Sequence, residues 1–211
     1  MKAQLLGLLV AIDLVCCAPG TAQLITIEPD NYATGTVLDH IVPEVHLTTA
    51  GANNQPIPPV PFPVTSQPTP PGYPSTGVNV FAQAGVNFFW DAVRLRMDFN
   101  GLVQSISLDS IGSGFNLAPE RGHLDVYNSE NILIDSYTTG VLGAGQVQTM
   151  SLSHADPDMA WAVAWSEGQT FGRLDHLVFS TPVPVPEPAM ALLFGAGVVG
   201  IFLFGARRAK P

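Results

Sequence analysis

The side chains that most often perform catalysis are scattered along this 211-residue chain. The sequence contains no HExxH, GxSxG, CxxC or glycine-rich phosphate-loop motif. Carboxylates are abundant, but a glycosidase needs two that face each other across the scissile bond, and the spacing identifies no such pair. We therefore expect no enzymatic activity. The histidines, which no motif connects, are His40, His46, His123, His154 and His176.

Aromatic and acidic side chains suggest a second chemistry, the binding of sugars. Sugar sites place aromatic rings against the apolar face of a pyranose and add hydrogen bonds to its hydroxyl groups. Tyr127 and Asp125 share one face of a predicted strand, so they are candidate glycan contacts at the surface. Trp161 and Trp165 alternate with alanines on another strand, and we predict that they pack in the core. The other aromatic candidates are Trp90 and Tyr137.

Short strands separated by turns must position these side chains. Residues 93–99 alternate apolar and polar side chains, which is the period of a half-buried strand, and Asn100-Gly101 after them is a hairpin signal. No segment between residues 23 and 180 has a helical period. We predict an all-β fold, a two-sheet jelly-roll-like sandwich. The predicted strands are residues 24–27, 45–48, 93–99, 102–108, 124–127, 132–137, 147–152, 159–165 and 174–180.

A proline-rich stretch interrupts this pattern. Residues 56–74 hold nine of the 19 prolines, and such a segment favours polyproline II over a sheet. We predict a long exposed loop within the domain of residues 23–180, because the segment before it is too short to bury a core.

The charge of residues 23–180 is strongly acidic. Fifteen Asp and Glu residues stand against four Arg residues and no Lys, for a net charge near −11. Such a field repels nucleic acids and anionic lipids. It is compatible with neutral glycans and with cations, so we expect no nucleic-acid partner.

The N-terminus has the pattern of an export signal. Lys2 is followed by an apolar run and then by small residues, which predicts a signal peptide over residues 1–22 with cleavage after Ala22. A lipoprotein signal through Cys17 is the alternative, although Cys16 occupies the preceding position, where a small residue is expected. Cleavage after Ala22 removes both cysteines, so the exported domain has no disulfide.

The C-terminal residues 181–211 have the pattern of a membrane anchor. Residues 189–206 carry no charge and are long enough to cross most of the hydrocarbon core, so we predict a transmembrane helix. Arg207 and Arg208 follow at once, which places the C-terminus in the cytoplasm.

Pro186, Glu187 and Pro188, followed by one apolar span and the Arg207-Arg208 pair, resemble the PEP-CTERM sorting signal of Gram-negative bacteria. The resemblance implies that an exosortase recognises residues 186–188 and removes the helix, which makes membrane contact transient. It also implies export through an inner-membrane intermediate to the cell surface or the extracellular matrix.

The domain itself resembles, more loosely, the galactose-binding-like jelly rolls common in PEP-CTERM proteins, through residues 106–109, 122–127 and 172–179. In jelly rolls of this kind the first and last strands often lie side by side and share a structural Ca²⁺. The resemblance therefore implies that Glu28, at the end of the first strand, and Asp175, in the last, are calcium ligands.

The sequence favours an exported, non-catalytic protein of the cell surface or the exopolysaccharide matrix, processed through its C-terminal signal. The alternative is a carbohydrate-binding module that recognises extracellular polysaccharide. Binding of polysaccharide to the domain distinguishes the two.

Overall fold

The computed structural model describes residues 22–57, 62–83, 86–114, 119–167 and 171–182. These residues form eleven strands and a short 3-10 helix at Pro29–Asn31. The strands are β1 (Gln23–Ile27), β2 (Val45–Ala50), β3 (Val64–Pro68), β4 (Asn79–Gln83), β5 (Arg94–Val103), β6 (Ser105–Ile111), β7 (Gly122–Tyr127), β8 (Leu133–Thr138), β9 (Val147–Ser153), β10 (Met159–Ser166) and β11 (Arg173–Thr181).

The strands build two antiparallel sheets. One has five strands in the order β2-β5-β10-β7-β8. The other has six, in the order β3-β4-β11-β6-β9, with β1 paired to β11. The predicted all-β fold of two sheets is confirmed.

The main core is apolar and takes one face of each sheet. Alternation along the strands supplies it, because every second side chain points to the same face. From the six-stranded sheet come Phe81, Ile106, Leu108, Met150, Leu177 and Phe179, and from the five-stranded sheet Leu47, Leu95, Met97, Leu124, Val126, Ala162 and Ala164. Burial of this set supplies the main driving force for the fold.

The proline-rich stretch is not a loop throughout, and the prediction is wrong for Val64–Pro68. This segment forms β3, which pairs with β4 in a register that runs from Val64 opposite Gln83 to Pro68 opposite Asn79. Because β3 is the edge strand of its sheet, its single proline, Pro68, leaves no central ladder position without a donor.

The hairpin expected at Asn100-Gly101 is also wrong. Strand β5 continues through both residues, with Gly101 at φ 115°, and β6 then joins the other sheet. Each flanking strand has other partners, since β5 lies between β2 and β10 whereas β6 lies between β11 and β9. A turn at residues 128–131 connects β7 and β8, and in it the Asn128 side-chain oxygen accepts hydrogen bonds from the backbone N–H groups of Glu130 and Ile132.

No helix among the described residues is long and apolar enough to cross a membrane. The predicted transmembrane helix of residues 189–206, the sorting residues Pro186, Glu187 and Pro188, and the Arg207-Arg208 pair lie outside the described residues.

Candidate functional site

The outer face of the five-stranded sheet carries an ordered layer of aromatic and charged side chains. The alternation that sends apolar residues inward sends Arg94, Arg96 and Asp98 outward from β5. The pairing registers set the outward side chains in three rows across the sheet. The first row is His46, Asp98, Trp161, Tyr127 and Leu133; the second is Thr48, Arg96, Val163, Asp125 and Ser136; the third is Ala50, Arg94, Trp165, His123 and Thr138.

Trp161 is enclosed by a stack in the first row. Its ring lies against the ring of Tyr127, with centroids 3.8 Å apart and planes 2° from parallel. The guanidinium carbon of Arg96 lies 3.9 Å from the indole centroid, on the side of the neighbouring strand β5. The indole Nε1–H donates to Asn131 Oδ1 at 3.1 Å, so Trp161 is only 6% exposed although it points away from the core.

Trp165 is enclosed in the same way in the third row. The Arg94 guanidinium lies 3.8 Å from its centroid, and the His123 ring stacks on its other side at 4.9 Å and 12°. Stacking of guanidinium groups and rings on an indole is favourable, and the Trp quadrupole is the strongest among the aromatic side chains. Both faces of both indoles are therefore occupied by the protein's own side chains.

The prediction that Trp161 and Trp165 are packed core residues is confirmed for their burial, but they do not join the main core between the sheets. With Val163 they form a small apolar cluster of their own, whereas Ala162 and Ala164 face the main core. An irregularity in the pairing of β10 with β5 between Met159 and Trp161 explains why Met159 nevertheless points inward.

Tyr127 and Asp125 lie on the outer face, as their alternation with Leu124 and Val126 indicates. Their polar atoms are close, with Tyr127 Oη 3.5 Å from Asp125 Oδ2. Burial raises the pKa of Asp125, and the charges of His123 and Arg94 oppose this shift. Burial likewise raises the pKa of the Tyr127 hydroxyl. Their role in binding glycans stays a prediction.

A residue that the sequence did not single out completes the site. Asn54, in the turn after β2, donates its side-chain amide to Tyr127 Oη at 2.8 Å and accepts Arg94 Nη1 on its side-chain oxygen at 2.6 Å. Its backbone carbonyl accepts Arg96 Nη1 at 2.7 Å. Loop residues carry no periodicity, so the only available signal was the alternation of Arg94, Arg96 and Asp98 on one strand face.

Glu28 and Asp175 lie together on the other sheet. Strand β1 pairs with β11, and Thr76 connects the two carboxylates by donating its hydroxyl to Glu28 at 2.7 Å and its backbone N–H to Asp175 at 3.2 Å. Burial, and then the charge of Glu28, raises the pKa of Asp175 to about 7. His176 Nδ1 lies 2.7 Å from Glu28 and already gives that carboxylate a partner.

The described residues contain no group of three or more His, Cys, Asp or Glu side chains arranged to hold a metal ion. The carboxylates of Glu28 and Asp175 instead accept hydrogen bonds from Ser75 and Thr76, and Glu28 also pairs with His176. One buried acceptor nearby, Asp30 Oδ2, has no hydrogen-bond partner. Calcium at Glu28 and Asp175 stays a prediction.

The comparisons with known proteins identify structural neighbours alone. No protein-family model and no curated protein sequence matches the chain. A family 29 carbohydrate-binding module from Piromyces equi covers 76% of this chain and 91% of its own, at 9% identity and a TM-score of 0.40. TmCBM61, solved in complex with beta-1,4-galactotriose, covers 64% of this chain and 84% of its own, at 10% identity and a TM-score of 0.35.

A third neighbour is the K3 cleaved adhesin domain of Lys-gingipain from Porphyromonas gingivalis. It covers 74% of this chain and 97% of its own, at 11% identity and a TM-score of 0.37. At such low identities and TM-scores, these similarities do not decide what this chain binds.

Proposed function

We propose that this protein is a non-catalytic carbohydrate-binding module that binds extracellular polysaccharide on the outer face of its five-stranded sheet. The observation that carries the proposal is the second row of this face. There Val163 forms an apolar floor between the stacks of Trp161 and Trp165. Asp125 lies beside it in the register, and Asn54 connects Tyr127 and Arg94 of the two adjacent rows. Carbohydrate sites combine apolar rings with a few placed donors and acceptors in this way.

The polar groups beside this floor belong to different strands and offer both kinds of hydrogen bond. Tyr127 and Asp125 come from β7 and Arg94 from β5. A hydroxyl group of a sugar both donates and accepts, so it can pair with a carboxylate and with a guanidinium group. Because both indole faces are covered, a sugar would contact the ring edges and the polar heads rather than stack on the indoles.

The overall charge supports a neutral glycan. Residues 23–180 carry a net charge near −11, and a polyanionic chain would be repelled. A neutral polysaccharide escapes this repulsion and still makes the hydrogen bonds of the site.

Affinity electrophoresis of the full-length protein in gels that contain single polysaccharides tests this function. We expect one or more neutral polysaccharides to retard the wild type, and Asp125→Ala to weaken retardation about tenfold, the usual effect of losing a charged hydrogen-bond partner. Ser151→Ala, on an exposed position of β9 in the other sheet, is the matched control and should bind like the wild type. Unretarded migration of the wild type in every gel would refute the proposal.

We further propose that the protein reaches the cell surface or the exopolysaccharide matrix through export and exosortase processing. The support is the sequence order Pro186-Glu187-Pro188, apolar span and Arg207-Arg208. A polysaccharide-binding domain released into an exopolysaccharide matrix would meet its ligand there.

A further inference from the structure

The turn that carries Asn54 lies across the outer face of the five-stranded sheet. The turn is closed by two backbone hydrogen bonds, from Gly51 N to Gln55 O at 2.9 Å and from Asn54 N to Gly51 O at 2.8 Å. Asn54 has a φ of 62°, in the left-handed region that residues other than glycine seldom adopt, although Asn tolerates it best. In this backbone conformation the Asn54 side chain reaches Tyr127 and Arg94 on the outer face.

The two hydrogen bonds of the Asn54 amide determine its orientation. A guanidinium group can only donate, so the atom that faces Arg94 Nη1 must be the carbonyl oxygen. The amide nitrogen then faces Tyr127 Oη, which accepts from it. The site thus holds a planar amide through one acceptor, Tyr127 Oη, and one donor, Arg94 Nη1.

The registers locate this amide on the face. Tyr127 belongs to the first row on β7, and Arg94 belongs to the third row on β5. Val163 of β10 lies between these two positions in the register, with Trp161 and Trp165 on either side of it along the strand. The Asn54 amide bridges Tyr127 and Arg94, and Val163 between them is fully buried.

We propose that this site binds the acetamido group of a 2-acetamido-2-deoxy sugar, and that Asn54 occupies the position of that group in the absence of ligand. This proposal rests on the proposed function and names its ligand class. An acetamido group has the same planar amide, whose carbonyl accepts from Arg94 and whose N–H donates to Tyr127. Its methyl group would lie against Val163 and gain an apolar contact that a hydroxyl group at the same carbon of the sugar does not make.

Exchange of Asn54 for the ligand requires little of the fold. The ligand replaces both side-chain hydrogen bonds of Asn54. Arg96, which would lose the Asn54 backbone carbonyl, keeps its ion pair with Asp98. The residues on either side of it, Asn53 and Gln55, are exposed, so the turn can move away without disturbing the core. Asn54 therefore competes with the ligand, and its removal should raise the affinity.

Two tetrasaccharides test the ligand class. N-acetylchitotetraose and cellotetraose share a β-1,4-linked glucose backbone and differ in the acetamido group that replaces the hydroxyl at C2. We expect the full-length protein to prefer N-acetylchitotetraose by about tenfold or more in calorimetric titration, as one additional amide contact provides. Tyr127→Phe keeps the stacked ring and removes the hydroxyl group, and it should abolish most of this preference.

Asn54→Gly tests the competition. Glycine adopts the left-handed backbone without strain, so this variant keeps the turn and loses the amide. It should bind N-acetylchitotetraose about tenfold more tightly than the wild type, because the ligand no longer has to displace the hydrogen-bonded Asn54 amide. Asn53→Gly alters the adjacent exposed position of the turn and should leave the affinity unchanged.

The outcomes separate the two proposals. Equal binding of both tetrasaccharides, or binding of other polysaccharides only, overturns the acetamido assignment and leaves carbohydrate binding in place. Weaker binding by Asn54→Gly makes Asn54 a ligand contact and overturns its role as a competitor. Failure to bind either tetrasaccharide and every polysaccharide of the affinity gels overturns both proposals.

Discussion

Trp161 lies face to face on Tyr127, with ring centroids 3.8 Å apart and planes 2° from parallel, on the solvent side of a sheet. With Arg96 on its other face, this indole is as buried as a core residue. The outer face of the five-stranded sheet is thus a second packed layer, and its order contributes to stability.

Trp161→Ala should lower the free energy of unfolding by about 3–5 kcal/mol, since it removes a buried indole and both of its stacking partners lose their contact. Urea denaturation of the full-length protein measures this. Ser151→Ala, at an exposed strand position, should stay within about 0.5 kcal/mol of the wild type. A loss below about 1 kcal/mol for Trp161→Ala would show that the stack contributes little.

Asp175 should make stability depend on pH. Its pKa is about 7 in the folded state, against an ordinary value of 3.8. Between these two pH values the folded state holds a proton that the unfolded chain has released. The contribution of Asp175 to stability is therefore complete below pH 3.8 and falls as the pH rises to about 7, at up to about 1.4 kcal/mol per pH unit.

Asp175→Asn cannot release a proton, so the variant should lack this part of the slope. Urea denaturation of both proteins in EDTA between pH 4 and pH 8 measures the difference between the two stability curves. His176, whose pKa is raised by its hydrogen bond to Glu28, is present in both proteins and contributes to both curves. Parallel curves would mean that Asp175 titrates normally.

Calcium should stabilise the folded domain if Glu28 and Asp175 bind it. A divalent cation would neutralise the carboxylate pair whose proximity contributes to the raised pKa of Asp175. Ca²⁺ at a hundredfold excess over its Kd should add about 2.7 kcal/mol, which raises the melting temperature by a few degrees or more. Mg²⁺ should substitute poorly, because it requires a tighter octahedral geometry.

The matched variants for calcium are Asp175→Ala, which should abolish the shift in melting temperature, and Asp158→Ala, which should preserve it. Asp158 pairs with His154 at 2.7 Å, away from the Glu28 carboxylate, and so controls for the loss of one acidic charge. An unchanged melting temperature of the wild type in millimolar Ca²⁺ would rule out the site.

Processing at the C-terminus should remove the predicted transmembrane helix. In a Gram-negative bacterium that has an exosortase, mass spectrometry of the mature protein should find an N-terminus at Gln23 and no residues from 189 to 211. Glu187→Ala should leave the full-length protein in the inner membrane, because the recognition segment has lost its carboxylate. A wild-type protein that keeps its tail and stays in the membrane would contradict the sorting proposal.

Strands with one apolar and one polar face could be oriented from the sequence. On β7, Leu124 and Val126 alternate with Asp125 and Tyr127, and the structure places the first pair in the core and the second on the surface. The period of two divides a strand into faces, and the cost of burying an unpaired charge decides which face points inward.

Strand β10 could not be oriented in this way, because both of its faces are apolar. Size suggested that Trp161 and Trp165 fill the core, but the core of two closely packed sheets is already filled by side chains such as Phe81 and Phe179, and it accepts Ala162 and Ala164. The tryptophans lie outside, where Arg94 and Arg96 of β5 stack on them.

The sequence by itself determined the composition of the strand faces, the all-β class and the acidic charge, whereas the adjacency of Glu28 and Asp175 was implied by a resemblance to jelly rolls. The tertiary structure decided which strands pair, and therefore which side chains meet across strands that are distant in the chain. Asn54, Arg94 and Tyr127 lie far apart in sequence, and pairing registers and a left-handed turn bring them together. Periodicity describes each strand alone, whereas this site is formed by the registers between strands and by a loop that has no period.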